Sequence, residues 1–539
     1  MKPYIIQEGP TINTYLLNKA DSCRRELFTH NVKPIDCFRL QRTEGSWEAF
    51  DRMPFSGQTP RLNKGDSLCL DFGTHWVGYI SFSAQPVGGA ADAPVYLRIL
   101  AGERLCEIGE DPNDYHGVLG QGWLQVCHLH LDELPCTVKL PRRYAFRYLK
   151  IEVLDTSGQY GVSLSDIGCQ TVSAVLEDDV APLATHDSFL NKMDEVSLRT
   201  LRNCAQDVFE DGPKRDRRLW LGDLRLQALT AYHTYGAHAL ARRCLYLFAG
   251  LTGEDGGVAA CVYTKPTPHA DGLRLFDYSL FFVSSLSDYW KATGDNETVT
   301  DLWPTAWRQL ELAAAELDEH GVIRDKDTWW CFLDWNDDLN KQAGAQGVFI
   351  MAVRQGLSLS ARFGTPEQQN LLNGWLETAL NGSRQVLWDE QLGFFVSGQN
   401  KQVSWASQIW QVLAEVWPTD KSRALLLRTI EQAPTVSMVT PYMFHHWVEA
   451  LLSVGLTDLA KQELCRYWGG MLKAGADCFW ELYDPTDPDR SPYGSPGINS
   501  CCHAWSCTPA YFFRRYPELT ENIHADKTSA TFGNAAYDK

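Results

Sequence analysis

The chain has 539 residues and a mass of 60.8 kDa, enough for two or three domains with large cores and too much for one small module. Hydrophobic residues make up 44% and charged residues 22%, the balance of a globular protein rather than a disordered one. A net charge of −18 argues against nucleic acid and anionic membrane as partners, since both need clustered Lys and Arg, and leaves neutral ligands such as sugars open.

The N-terminus carries no apolar h-region or small-residue cleavage site, and no run of 18 apolar residues occurs, so neither a signal peptide nor a membrane span is expected. Sixteen scattered cysteines are too sparse for a disulfide scaffold and read as reduced core thiols of a cytoplasmic protein. The first forty residues give little beyond a candidate strand near Phe38. From Leu68 to Val153, short β-rich runs such as SLCLDFGTHWVGYISFSA, APVYLRILAGE and YAFRYLKIEVL alternate with Gly, Pro, Asp and Asn. That rhythm predicts an antiparallel β-sandwich over residues 1–185.

Near residue 185 the apolar period changes from two to that of a helix. HDSFLNKMDEVSLRTLRNC opens a helix with an Asp-Ser start suited to capping, and helical stretches follow to Tyr516. About ten to twelve helices without a fixed-period repeat predict a closed (α/α)6 toroid over 186–518 rather than a solenoid. A polar tail is expected over 519–539.

Three segments concentrate acids and tryptophans. Asp211-Gly-Pro-Lys-Arg-Asp216-Arg-Arg-Leu-Trp220-Leu-Gly-Asp223 precedes a strong helix. Asp327 to Asp338 contains Asp334-Trp335. Ala476 to Asp484 contains Trp480-Glu481 and is followed, past a Pro/Gly/Ser loop, by Asn499-Ser-Cys-Cys-His503-Ala-Trp505. Carboxylates beside aromatic faces suit glycoside hydrolysis, in which one acid protonates the leaving oxygen and a second carboxylate activates water or attacks the sugar. Apolar rings raise a donor's pKa and give the sugar a flat platform. Each residue also has a plainer reading. Asp223 could be a helix N-cap, Asp216 part of an ion-pair network, Glu481 the partner of an Arg, Asp334 the anchor of a capped turn, and His503 a satisfied core histidine. His445-His446 fits a packed helix face better than a substrate contact. Cys501, Cys502, His503 and Cys507 are too crowded for a regular zinc site, and no nucleotide-binding or G-x-S-x-G motif occurs, so no metal or cofactor is expected.

The order of these motifs resembles that of the α-L-rhamnosidases of glycoside hydrolase family 78, in a compact form, over most of the chain. LDFGTHWVGYISF, AGERL and RRYAFRYLKIEV resemble the family's sandwich. KRDRRLWLGD resembles its acid-bearing motif, LDWND its Asp-Trp loop, CFWE its base-bearing Trp-Glu, and CHAWS its histidine motif. Counting back from Trp220-Leu-Gly-Asp223 puts the family's acid on Asp216, whereas counting forward from Asp211 puts Arg217 there. The first alignment keeps a carboxylate where an acid is required, one methylene shorter than the family's Glu.

The resemblance implies an inverting hydrolase of terminal α-L-rhamnosides, with Asp216 as general acid, Glu481 as general base and Asp223 as the competing acid. Asp211, Arg215, Trp220, Asp334, Trp335, Trp480 and His503 would bind one L-rhamnose. The expected substrate is a small rhamnosylated glycoside, and a homodimer through the aromatic-rich β region is left open. Another toroidal glycosidase of different sugar specificity, or a non-catalytic sugar-binding protein whose acid was lost at Arg217, are the alternatives.

Overall fold

The computed structural model describes residues 11–328 and 330–521, so most of the expected tail lies outside the described residues. The N-terminal part is antiparallel β structure. Its strands run in the order Phe28–Val32, Gly161–Ser173, Ser67–Val87, Tyr144–Asp155, Val95–Gly102, Val126–Leu131. A hairpin of Asp36–Thr43 with Ser46–Pro54, and the strand Cys136–Lys139, pair with the long strand Ser67–Val87. That strand shifts register between Asp71 and Trp76, which lets its first half pair with Asp36–Thr43 and its second half with Cys136–Lys139 and Gly161–Ser173. Val95, Leu97 and Ile99 are buried while Tyr96 and Arg98 are half-buried, the alternation that turns one face of a strand to the core. Phe82, Phe146, Leu149 and Ile151 join them in a single apolar cluster.

The C-terminal part holds twelve α-helices among the described residues, from Ser188–Cys204 to Pro509–Arg515. The expected Asp-Ser start holds: Asp187 Oδ1 accepts hydrogen bonds from Phe189 N and Leu190 N at 2.9 and 3.3 Å, relieving two orphan donors of the first turn. Leu221–His233 and His238–Gly250 are separate helices, because Gly236 at φ +61° breaks the helical path between them. The helices Leu221–His233, Phe276–Thr293, Gln342–Phe363, Trp405–Leu413 and Pro441–Ser453 each pack on the next in that order, and Pro509–Arg515 packs on Leu221–His233. The chain's first helix, Thr14–Ser22, packs against His238–Gly250 rather than on the sheet, burying Leu16 and Ala20 one turn apart in the helical core. No helix among the described residues is long and apolar enough to cross a membrane.

Candidate active site

Three stretches of chain are joined by backbone hydrogen bonds at the end of this helical assembly. Ala504 N donates to Asp211 O at 2.7 Å, His503 N to Phe479 O at 2.9 Å, and Glu481 N to Ser500 O at 3.0 Å. The segment Asp211–Asp223 is closed on itself: Asp211 N donates to Arg218 O at 3.0 Å, and Arg218 N returns to Asp211 Oδ1 at 2.9 Å. Inside this closed loop Asp216 and Arg217 take left-handed backbone angles, φ +60° and +53°, a conformation that costs most non-glycine residues free energy and that Asp tolerates best. Leu219–Trp220 then pairs with Cys261–Val262 and delivers the chain into the helix Leu221–His233. The Gly in Leu-Gly-Asp223 is required there, since a Cβ at Gly222 would stand 2.5 Å from the Tyr278 ring.

The result is a knot of charged groups with one guanidinium at its centre. Arg215 ion-pairs with Glu481 Oε2, lies 3.7 Å from Asp216 Oδ1, donates to Ile498 O at 3.0 Å, and stacks on the Tyr493 ring at 4.3 Å. The Tyr493 hydroxyl donates to the other Glu481 oxygen at 2.8 Å. His503 bridges the remaining acids, with Nε2 at 3.7 Å from Glu481 Oε1 and Nδ1 at 3.5 Å from Asp223 Oδ1. Asp223 Oδ1 and His503 Nδ1 have no hydrogen-bond partner among the described residues although both are buried. Burial pushes the Asp211 and Asp223 carboxyls well above the ordinary carboxylate range, helped by neighbouring Asp216 at the first and by Glu481 at the second. Burial also pushes His503 well down, with Arg215 reinforcing the shift, so the imidazole is held neutral. Asp216 is the acid open to solvent: its side chain is 23% exposed, against 3% for Asp223 and 6% for Glu481.

Of the expected residues, Asp211, Arg215, Asp216, Asp223, Glu481 and His503 therefore meet in one place. Trp335 stands beside them, edge-on to Tyr493 at 5.7 Å and to Trp505 at 5.8 Å, and Trp220 packs edge-on to Tyr278 at 6.4 Å. Asp334 has its oxygens occupied by Trp335 N, Val439 N, Thr440 N and Thr440 Oγ1 at 2.6 to 3.0 Å. It secures Thr440, the N-cap of the helix Pro441–Ser453. Trp480 lies under the Arg104 guanidinium at 5.0 Å and against Tyr483. Asp223 is in the first turn of its helix, and Trp220 is the N-cap. Arg217 turns away from the carboxylates and donates to Arg143 O at 2.9 Å; burial and the Arg143 charge push its guanidinium down to about 10. His445 and His446 are fully buried among Phe281, Trp410 and Phe512.

Sequence reasoning missed Tyr493, Trp505 and Lys214. Tyr493 sits in a Pro/Gly/Ser loop with no periodicity to mark it. Lys214 is fully buried: its ammonium donates to Gly497 O and Asn499 O at 3.1 and 2.6 Å and pairs with Glu107 of the β region at 2.8 Å. A Lys between Pro and Arg reads as surface charge, and its partners lie in and just past the AGERL run, at Glu103 and Glu107. A separate cavity of about 520 Å³ opens between the β region and residues 494–497, lined by Trp47, Arg104, Tyr148 and Asp489, and contains none of the four clustered acids.

Two family models match the sequence. The glycosyl hydrolase family 78 alpha-rhamnosidase N-terminal domain covers residues 51–171, and the bacterial alpha-L-rhamnosidase 6 hairpin glycosidase domain covers 178–516. The chain belongs to glycoside hydrolase family 78. It is a glycosidase of the α-L-rhamnosidase type. Among solved structures, a rhamnosidase from Klebsiella oxytoca with rhamnose bound is similar at TM-score 0.90 and 46% identity, covering 94% of this family 78 chain and 99% of that one. A family 78 rhamnosidase from Bacillus sp. GL1 is similar at TM-score 0.72 and 23% identity, over 86% of this chain and 47% of that one. The Streptomyces avermitilis α-L-rhamnosidase complexed with L-rhamnose follows at 0.62 and 16%, over 90% and 44%. These last two share the fold, and this chain spans less than half of their length. No curated protein matches the sequence.

Proposed function

We propose that this family 78 enzyme hydrolyses terminal α-L-rhamnosides with inversion, using Asp216 as general acid and Glu481 as general base. The observation that carries this reading is the single Arg215 guanidinium set between the two carboxylates. A bridge of that length fits the carboxyl spacing of roughly 6.5–9.5 Å that leaves room for a water in inverting glycosidases. In the reaction Asp216 gives its proton to the glycosidic oxygen as the C–O bond breaks. A water attacks the anomeric carbon from the opposite face and loses its proton to Glu481. Tyr493 and Arg215 fix the rotamer of Glu481 and leave lone pairs free to accept that proton. Protonated Asp223, neutral His503 and Asp211 offer donors and acceptors to sugar hydroxyls, and Trp335 and Trp220 supply ring surface. Asp334 acts by holding Trp335 and the following helix start in place. The rhamnose bound in the 46% identical Klebsiella protein supports rhamnose as the sugar.

The neighbour order of the helices supports an (α/α)6 toroid behind a β-sandwich, with the site at its mouth. Sixteen free thiols support a reducing, cytoplasmic setting and hence a small imported glycoside as substrate. One observation favours a second assignment of the acid: burial keeps the proton on Asp223, the state a general acid needs. Inversion is tested by hydrolysis of p-nitrophenyl α-L-rhamnoside followed by NMR of the first-formed sugar, and the acid by the leaving-group dependence of Asp216→Asn and Asp223→Asn. β-L-Rhamnose appearing first supports inversion; α-L-rhamnose appearing first overturns it. No turnover by the wild type, with turnover on another glycoside, would replace the sugar.

A further inference from the structure

Behind the carboxylate cluster, three soft ligands meet in one fully buried spot, and a fourth stands beside one of them. They are His75 of the strand Ser67–Val87, Cys204 at the end of the helix Ser188–Cys204, Cys478 just before Phe479-Trp480-Glu481, and Cys502 beside His503. One ring nitrogen of His75 and the Sγ atoms of Cys478 and Cys502 all lie within 4.8 Å of one another, and Cys204 Sγ is 3.9 Å from Cys502 Sγ. A tetrahedral zinc with Zn–S bonds of about 2.3 Å separates its sulfurs by about 3.8 Å, so this pair already spans one edge of such a site. The same separation is far from the roughly 2.05 Å of a disulfide.

The surroundings are also those of a ligand set. Nε2 of His75 lies 2.9 Å from Glu103 Oε1, which fixes the proton on that nitrogen and leaves Nδ1 as the ligating atom, once it exchanges its contact with the Asn203 amide for the ion. Glu103 is itself held by the Cys501 N–H at 2.6 Å and by Lys214 at 3.7 Å. Asn203 Nδ2 lies 2.8 Å from His75 Nδ1, 3.1 Å from His75 O and 3.7 Å from Cys478 Sγ, so it keeps two acceptors, one of them a ligand sulfur, when Nδ1 is taken.

We infer that His75, Cys478 and Cys502 hold a structural zinc ion, with Cys204 turning its sulfur from Cys502 toward the ion to close a Cys3His set that ties the β region to the segments carrying Asp211, Glu481 and His503. Three thiolates and one imidazole in tetrahedral array select zinc among the common divalent ions, and four protein ligands leave no position open for substrate. With zinc bound, the three cysteines are thiolates and His75 is neutral, so the site carries a single negative charge. Arg199, within the electrostatic reach of Cys478, offsets it. Complete burial makes the ion one that is captured as the chain folds and retained until it unfolds.

The test is a metal count on the full chain purified without chelator. About one zinc per chain is expected, resistant to EDTA in the folded protein and released to a colorimetric chelator in guanidinium. Cys478→Ser and Cys502→Ser should hold less than a tenth of that, while Cys465→Ser, whose cysteine lies on the helix Thr457–Lys473 outside this cluster, should retain all of it. Because the cluster variants can fail to fold, wild type is also unfolded, stripped and refolded with Co2+. Visible bands of tetrahedral cobalt with a near-ultraviolet thiolate charge-transfer band are expected. Zinc below a tenth of an equivalent in wild type, both as purified and after refolding with zinc, overturns the inference. So does a zinc content unchanged in both cluster variants, or a cobalt-refolded protein without those bands. None of these readouts depends on glycoside hydrolysis.

Discussion

Two buried aspartates at the same end of the molecule have opposite fates. Asp334 is surrounded by donors: three backbone N–H groups and one hydroxyl point at its two oxygens. Asp223 is as deeply buried, yet its Oδ1 faces only an equally unpartnered His503 Nδ1. Burial pushes both acids up and backbone donors pull each back, but Asp334 has the Thr440 hydroxyl as well, whereas at Asp223 the Glu481 charge adds to the rise. The difference separates a carboxylate that builds the site from one left free to meet a ligand. Leaving a buried polar group unpaired costs about 1–3 kcal/mol, a cost that a ligand's hydroxyl can remove.

The sharpest way to break this comparison is to remove the acids and ask what is lost. Glu481→Gln should reduce kcat on p-nitrophenyl α-L-rhamnoside by about 10²–10⁴-fold while leaving the circular dichroism spectrum unchanged, since general acid–base catalysis is worth that much. Asp216→Asn should lose a comparable factor on a substrate with a poor leaving group and much less on 2,4-dinitrophenyl rhamnoside, whose leaving oxygen needs no proton. If Asp223→Asn shows that leaving-group dependence and Asp216→Asn does not, Asp223 is the acid. Asp334→Ala should strike stability first: a loss of about 2–3 kcal/mol, read from the urea midpoint, with substrate affinity reduced through a displaced Trp335. The smallest effect is a slope. An acid whose folded pKa is raised binds more protons folded than unfolded, so stability is greatest below the unfolded value of 3.8 and falls as pH rises until the folded group ionises. Asp223→Asn should flatten that fall, by at most about 1.4 kcal/mol per pH unit for one proton, and be no less stable than wild type at pH 8.

Much of this site was legible because its motifs are local. Asp211 to Asp223 folds back on itself within thirteen residues, and its closing bond joins Asp211 to Arg218, so spacing alone carried the information. Glu481 and His503 were legible as motifs, but their approach to Asp223 depends on backbone pairing between segments hundreds of residues apart, which no window of sequence reports. Asp334 was readable only as an alternative between ligand and anchor, because the donors that decide it come from Val439 and Thr440. Tyr493 was invisible for a similar reason: its place against Arg215 and Glu481 follows from loop closure, including Val118 N donating to Tyr493 O at 2.9 Å from the β region.

Lys214 lies beside Arg215 in sequence, yet its countercharge comes from Glu107, more than a hundred residues earlier. A helical half produced without the β half would lack both carboxylates that meet this ammonium, Glu103 at 3.7 Å and Glu107 at 2.8 Å. Ribosomes deliver the chain in the favourable order, because the anion emerges and folds before the cation that needs it. The lysine thus works as a clasp: one ammonium fastens the loop that carries Asp216 to carboxylates from the opening part of the chain and to the carbonyls of Gly497 and Asn499.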